Sequence, residues 1–272
     1  MSQVTAKQVQ DLRKMSGAGM MDCKNALAET SGTIEDAFKW LREKGIAKAE
    51  KKSTRDANEG LVGIKTSENG SAIVEINSET DFVSRNSEFQ SLVNNILDIA
   101  ILENKNTEEK SSELINNAIA KIGENIVFKR SDYVSGKVFT YTHNKITDGL
   151  GKIGVILKFS NDNVSKEIGK NICMHIAASS PKSLHEDDLD QNLIENEKSI
   201  LKEQLKDSGK SDDIVSKMIN GKIKKFFEEN VLLNQKFVMD PSISINSFLE
   251  SSSNETDSEI KIDKFIRYEL GE

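Results

Sequence analysis

The feature that most narrows what this chain can fold into is a change of hydrophobic period near residue 60. Before it, apolar residues recur at helical spacing: Val9 and Leu12, then Ala26 and Leu27, then Ala37, Phe38 and Leu41. After Gly60 they alternate, through Leu61 to Lys65 and again through Ser71 to Asn77. Short helices followed by two-residue alternation predict an α+β protein with its helices and antiparallel strands in separate layers.

The helical part divides at its glycines. Thr5 with Gln8 is a capping-box pattern, and the first apolar stripe stops at Ser16-Gly17-Ala18-Gly19. Met20 to Thr30 reads as a second helix broken by Ser31-Gly32. Thr33 with Asp36 caps a third, which Gly45 is expected to end. Beyond it Lys48, Lys51, Lys52 and Arg55 face only one acid, Glu50. Such a run is a solvated helical connector or a nucleic-acid patch, and the connector is the more ordinary outcome. Residues 1–55 therefore read as a three-helix module with a basic linker.

Residues 56–136 read as a first α+β core. Glu68-Asn69-Gly70 supplies the positive φ angles of a tight hairpin. The polar loop Ser78-Glu79-Thr80-Asp81 leads to Phe82-Val83, and Ser87 with Gln90 is expected to cap a helix carrying Phe89, Leu92, Val93, Ile96 and Ala100. A further helix carries Leu114, Ile115, Ala118, Ile119 and Ile122 and closes at Gly123.

The order strand, turn, strand, helix then returns in residues 137–272. Lys137 to His143 and Lys152 to Ser160 are paired strands, Val164 to Ala178 is a helix with Ile168, Ile172, His175 and Ile176 inward, and Ile260 to Leu270 completes the second sheet. Two similar subdomains are expected. About 188–229 the second is interrupted by two helical segments whose apolar residues, Leu189, Leu193, Ile200 and Leu201 against Ile214, Met218, Ile219 and Ile223, form narrow stripes. They predict an inserted antiparallel helical hairpin.

Chemistry-bearing residues are scarce. Three His, two Cys and a net charge of −7 disfavour metal sites, thiol catalysis and sequence-specific DNA binding. Cys23 and Cys173 stand apart without a C-x-x-C partner and read as reduced, buried thiols. Gly209-Lys210-Ser211 resembles the end of a phosphate loop, but position 204, where that loop needs glycine, is Gln. His143, His175 and His185 are scattered, and no nucleophile turn accompanies them. No cofactor, bound metal or covalent catalysis is expected. No stretch approaches the ~18–20 apolar residues of a membrane span, and the N-terminus lacks a signal-peptide core, so a cytoplasmic protein is expected.

Two places read both ways. Phe82 beside Asp81 is either tucked under the following helix or presented as a wedge for a partner's pocket. Met20 and Met21, about 100° apart on a helix, cannot both enter one small core, so one of them could serve a partner.

These residues also carry a family resemblance. Leu12-Arg13-Lys14-Met15-Ser16-Gly17-Ala18-Gly19-Met20-Met21-Asp22-Cys23-Lys24, Leu41-Arg42-Glu43-Lys44-Gly45, Thr80-Asp81-Phe82-Val83-Ser84-Arg85-Asn86 and Lys121-Ile122-Gly123-Glu124-Asn125 resemble bacterial elongation factor Ts, as do Tyr141-Thr142-His143, His175-Ile176-Ala177-Ala178 and Gly221-Lys222-Ile223-Lys224-Lys225-Phe226-Phe227. The resemblance spans essentially the whole chain. It implies a ubiquitin-associated-like three-helix module and a guanine-nucleotide exchange factor for elongation factor Tu, acting by contact without covalent chemistry. It implies that Leu12, Met20 and Met21 dock on the partner's nucleotide-binding domain. Thr80, Asp81, Phe82 and Val83 would dislodge the partner's Mg²⁺, Ile122 and Gly123 would support that contact, and His143 would face the partner's other domains. The hairpin corresponds to a coiled-coil insertion that self-associates in some members, which leaves homodimerisation open. The alternative function is an RNA- or ribosome-associated helical protein using the 48–55 basic segment, whereas the exchange-factor reading expects no direct nucleic-acid contact.

Overall fold

The computed structural model describes residues 4–103, 106–206, 211–256 and 258–272, with backbone alone for 46–51 and 255–256. The Gly209-Lys210 pair and the side chains of Lys48 and Lys51 lie outside the described residues. The chain divides into two compact units: Met1–Tyr133 with Thr142–Ile153 and Tyr268–Glu272, and Val134–Tyr141 with Gly154–Arg267.

The first unit opens with α1 (Ala6–Ser16), α2 (Met20–Glu29) and α3 (Ile34–Lys52). The capping box forms as the sequence requires: Thr5 Oγ1 accepts from the Gln8 N–H at 3.3 Å, and Gln8 Oε1 accepts from the Thr5 N–H at 2.9 Å. Leu12, Cys23, Ala26, Leu27 and Ala37 are buried together as a small core of the module's own. Strands β1 (Glu59–Ser67) and β2 (Gly70–Ser78) pair antiparallel with Ser67 opposite Gly70, so Glu68-Asn69 is the two-residue loop. Helices α4 (Ser87–Glu103) and α5 (Thr107–Ile122) cover this sheet, burying Phe89, Val93, Ile96, Leu97 and Ile119 against Leu61, Val74 and Ile76. Gly63 makes that approach feasible, because a Cβ there would stand 2.8 Å from Val93 and 2.9 Å from Leu97.

Three local expectations are corrected. Gly45 does not end α3, which runs on to Lys52 through the basic linker. A Cβ at Gly45 would lie 3.4 Å from Ala120 of α5, an ordinary contact, so this turn of α3 packs on α5; packing of the helix outweighs the glycine's propensity cost of ~1 kcal/mol. The cap of α4 is Asn86 rather than Ser87: Asn86 Oδ1 accepts from the Glu88 N–H at 2.8 Å, while Gln90 Nε2 donates to the Ser84 carbonyl at 3.0 Å. Finally, β3 (Ile126–Ser135) adds an edge strand beside β2 where no strand was expected. Its alternation is blurred by polar residues such as Arg130 and Asp132, which have partners of their own.

Strand β4 (Phe139–His143) leads to β5 (Leu150–Gly151), which closes the other edge of the first sheet by pairing Gly151 with Val62, giving the order β3-β2-β1-β5. In the second sheet β6 (Ile153–Phe159) lies between β4 and β9 (Ile262–Glu269), with the rings of Phe139 and Phe159 edge-on at 5.5 Å. Helix α6 (Lys166–Ser179) starts at Ser165, whose hydroxyl accepts from the Ile168 N–H at 3.2 Å. Helices α7 (Gln191–Leu205) and α8 (Asp212–Asn230) form the hairpin, closed by Leu201, Leu205, Ile219 and Ile223. Ile200 and Ile214, expected in that seam, are exposed instead, and Leu205 fills the inward position one turn beyond Leu201. The small pair β7 (Lys236–Phe237) and β8 (Asp240–Ser244), followed by α9 (Ile245–Thr256), was not anticipated. The helix is serine-rich and carries a weak apolar stripe.

His175 is the core histidine its position on α6 suggested. It is fully buried; Nδ1 accepts from the Val238 N–H at 3.2 Å, which leaves Nε2 to donate to Gln235 Oε1 at 2.9 Å. Gln235 in turn donates to the carbonyls of Ser179 at 3.1 Å and Glu229 at 2.9 Å, tying the hairpin's root to α6. Burial holds the His175 imidazole below its ordinary pKa, with the Gln235 hydrogen bond opposing. The unfolded chain therefore binds the extra proton first, from about pH 6.5 downward. The network's contribution is complete above that pH and is lost as the pH falls through the lowered folded value. Urea unfolding is expected to give lower stability at pH 5.5 than at pH 7.5, with a smaller difference in His175→Gln. An equal pH dependence in both would remove His175 as its source.

Candidate functional site: an aromatic tip on a braced turn

After β2 the chain leaves the sheet through Glu79 and Thr80 into a 3-10 turn, Asp81–Arg85. The turn sorts its side chains by position. Val83 and Ser84 point inward and are almost fully buried, whereas Asp81 is exposed and Phe82 is 80% exposed. The reading in which Phe82 tucks beneath α4 is therefore corrected: Val83 takes that place in the core, and the phenyl ring stands in solvent. The Ser84 hydroxyl donates to the Asp81 carbonyl at 2.6 Å and the Ser78 hydroxyl to the Thr80 carbonyl at 3.1 Å, so the turn is closed by its own short side chains. Among the described residues no hydrogen bond or ion pair engages the Asp81 carboxylate.

The turn is braced from a second loop. Helix α5 ends at Ile122, half-buried against the core, and at Gly123, whose φ of +87° is the left-handed conformation that glycine adopts without strain. Lys52 donates to the Gly123 carbonyl. The next residue, Glu124, accepts from the Thr80 N–H at 3.0 Å and the Thr80 hydroxyl at 2.7 Å. In return Glu79 accepts from the Asn125 N–H at 2.6 Å and from Arg55 at 3.3 Å, and Asn125 Nδ2 donates to the Arg55 carbonyl at 2.7 Å. The Asn125 N–H, with the Arg55 charge, holds the Glu79 carboxyl below its usual pKa. The described part of the basic run thus serves this corner, with Lys52 and Arg55 engaged by protein groups.

The remaining sequence-predicted residues fall in different places. Met20 and Met21 are 60% and 64% exposed at the start of α2, and neither enters the module's core. Met15, which the sequence did not single out as a docking residue, is 59% exposed as well. Leu12, by contrast, is fully buried within the module's own core. His143 is exposed at the end of β4, with its carbonyl accepting from the Lys152 N–H at 3.1 Å. Thr80 to Val83 and Ile122-Gly123 thus meet at one corner, while the methionines sit on the module. Sequence reasoning gave no role to Glu79, Glu124, Asn125 or Arg55 in bracing the turn. The available signal was the strand-to-loop position of Glu79-Thr80 and the polar pair directly after a glycine cap.

None of the site-predicted residues lines a cleft of about 860 Å³ in the second unit, which lies beside His185, Asp188, Leu249 and Ile260. Among the described residues no group of three or more His, Cys, Asp or Glu could hold a metal ion, and no helix is long and apolar enough to cross a membrane. Fold and site together define an α+β protein whose candidate site is a projecting surface. A family model described as Elongation factor TS matches residues 79–272. Proteins named Elongation factor Ts are similar along nearly the whole chain. That of Bartonella henselae is 46% identical over 286 aligned positions, covering 99% of this chain and 93% of the relative. That of Rhizobium etli is 44% identical over 289, covering 100% and 94%, and that of Mesorhizobium japonicum 41% over 285, covering 99% and 93%. The chain belongs to the elongation factor Ts family, a family of translation elongation factors.

Proposed function

We propose that this chain binds elongation factor Tu in its GDP-bound state and promotes release of GDP and its exchange for GTP. The observation that carries this is the Asp81-Phe82 tip, an aromatic ring 80% exposed on a turn tied down at both ends, in a chain of this family. An exposed phenylalanine costs apolar contact in the free protein, and its energy is recovered on entering an apolar pocket. GDP in a phosphate-loop GTPase is held partly by a Mg²⁺ that bridges phosphate oxygens. A ring inserted beside that ion, with the Asp81 carboxylate competing for its water shell, weakens the whole site without bond cleavage. Met20 and Met21 supply adaptable apolar contact for the docking, Ile122 and Gly123 support the tip, and His143 faces the partner's other domains.

Coupling between two ligands of one protein is reciprocal, so a factor that loosens GDP and Mg²⁺ is itself expelled when nucleotide and Mg²⁺ return. On this reading the chain needs no cofactor and works in the cytoplasm with its partner. Catalytic amounts are expected to accelerate release of labelled GDP from elongation factor Tu by about tenfold or more, a barrier change of ~1.4 kcal/mol. No acceleration at stoichiometric excess would sink the proposal.

A further inference from the structure

We infer that Glu79 and Glu124 are positioning residues for nucleotide release: together they form a reciprocal buckle that fixes the direction in which the Asp81-Phe82 tip projects. The inference rests on the exchange reading above and assigns it two carboxylates that do not themselves meet the nucleotide.

The geometry is crosswise. The side chain of Glu124 takes the backbone N–H and hydroxyl of Thr80, at 3.0 and 2.7 Å, while the side chain of Glu79 takes the backbone N–H of Asn125 at 2.6 Å. Two adjacent residues of one loop are thus locked to two adjacent residues of another, each pair by a charge-assisted bond. Arg55 closes the third side, donating to Glu79 at 3.3 Å while its carbonyl accepts from Asn125 Nδ2 at 2.7 Å. Behind the tip the turn is anchored by buried Val83 and Ser84 and by Gln90, which holds the Ser84 carbonyl at 3.0 Å. The tip is fixed on its C-terminal side by burial and on its N-terminal side through Thr80, which directly precedes Asp81: its carbonyl accepts from Ser78 within the turn at 3.1 Å, and Glu124 holds its N–H and hydroxyl from the second loop. A wedge transmits force only if its base does not yield. Releasing Thr80 leaves the ring present but free to swing, and a displacement of about 1 Å can cost a positioned group ~100-fold in rate.

The chemistry predicts an unequal series. Glu124→Ala removes both bonds to Thr80. Glu124→Gln keeps them, because its carbonyl oxygen accepts from the Thr80 N–H and its amide donates to the Thr80 hydroxyl oxygen. Thr80→Val removes the hydroxyl bond and leaves the backbone one.

The test measures fluorescent-GDP release from elongation factor Tu over a range of concentrations of the full-length chain. It separates the maximal rate from the half-saturating concentration, and circular dichroism verifies the fold of each variant. Glu124→Ala is expected to lower the maximal rate about tenfold with a half-saturating concentration within about threefold of the unaltered chain. Thr80→Val is expected to fall between, and Glu124→Gln to restore the rate to within about twofold. A Glu124→Ala chain as fast as the unaltered one overturns the inference. So does a loss carried entirely by the half-saturating concentration, or a Glu124→Gln chain as slow as the alanine variant. If Glu124→Ala does not fold, Thr80→Val decides, and an undiminished maximal rate there overturns the inference. Failure of the unaltered chain to accelerate release overturns the exchange reading itself, and is recognised because it appears before any substitution is made.

Discussion

Phe82→Ala is expected to slow the maximal rate of GDP release by about 30-fold or more, while the affinity for nucleotide-free elongation factor Tu falls much less. An aromatic anchor that fills a partner's pocket contributes ~2–4 kcal/mol on truncation, and ~1.4 kcal/mol corresponds to tenfold in rate. The substitution leaves the fold of the free chain almost untouched, because the ring is 80% exposed and makes no part of the core beneath it. A change at such a position shifts stability by ~0.5 kcal/mol or less. Loss of rate without loss of stability is what separates this residue from Val83, its neighbour, where truncation would empty a core position. Binding survives because Met20 and Met21 stand on a different element, α2, and keep their exposed surface. Stopped-flow release at saturating concentration, together with the affinity of the nucleotide-free complex, checks the prediction. Equal losses in rate and affinity would reduce Phe82 to an ordinary contact residue, and no loss in either would remove it from the mechanism.

The sequence disclosed those parts of this site that depend on local chemistry. The Thr5–Gln8 capping box and the glycine cap at Gly123 are each decided within four residues and form as the chain pattern requires; the hairpin at Glu68-Asn69-Gly70 forms too, but with Glu68-Asn69 as its loop and the positive φ on Gly70 alone rather than on Asn69. The burial of His175 followed from the period of α6 alone. What escaped is decided over longer distances. Helix α3 continues past Gly45, where it packs beside Ala120 of α5 some 75 positions away, and no local rule weighs such packing. Leu12 lies in a family-like motif, yet motif membership alone does not say that its side chain is packed in the module's core while Met20 and Met21 of the same motif stand exposed. Glu79 and Glu124 read as ordinary loop acids until the fold sets Glu124 against the Thr80 backbone and Glu79 against that of Asn125, 44 and 46 positions away. Strand β3 was hidden for a related reason. Its polar residues look out of place in a strand until their partners elsewhere in the unit are seen.

The largest effect on stability is expected at one of those partners. Glu75, on β2 three residues before the site's loop begins, is fully buried, and its two oxygens are taken by Arg130 Nε at 2.7 Å and the Gly271 N–H at 3.0 Å. Arg130 also donates to the Glu269 carbonyl at 3.1 Å and lies 4.2 Å from the centre of the Tyr268 ring. The Tyr268 hydroxyl donates to Asp132 at 2.8 Å, and burial, then this hydrogen bond and the Asp132 charge, push its pKa up, so it stays a donor. The final residues of the chain are thereby fastened to the sheet that carries the tip. Arg130→Ala leaves a carboxylate with no exposure and a single neutral donor, and breaking a buried pair in this way costs ~3–5 kcal/mol. Because the guanidinium is about a third exposed, the lower end of that range applies. Glu75→Gln is expected to cost less, ~1–2 kcal/mol. The amide oxygen can still accept from Gly271; the amide NH2 then faces the Arg130 Nε–H, donor against donor, which accounts for the cost, and it is limited because the partly exposed guanidinium can turn away while keeping solvent, the Glu269 carbonyl and the Tyr268 ring. The ordering is the sharp part of the expectation, since removing the exposed partner harms more than neutralising the buried one. Urea unfolding of the two variants at pH 7 measures it, and equal midpoints, or a Glu75→Gln chain less stable than Arg130→Ala, would show that the buried charge is not what this pair protects.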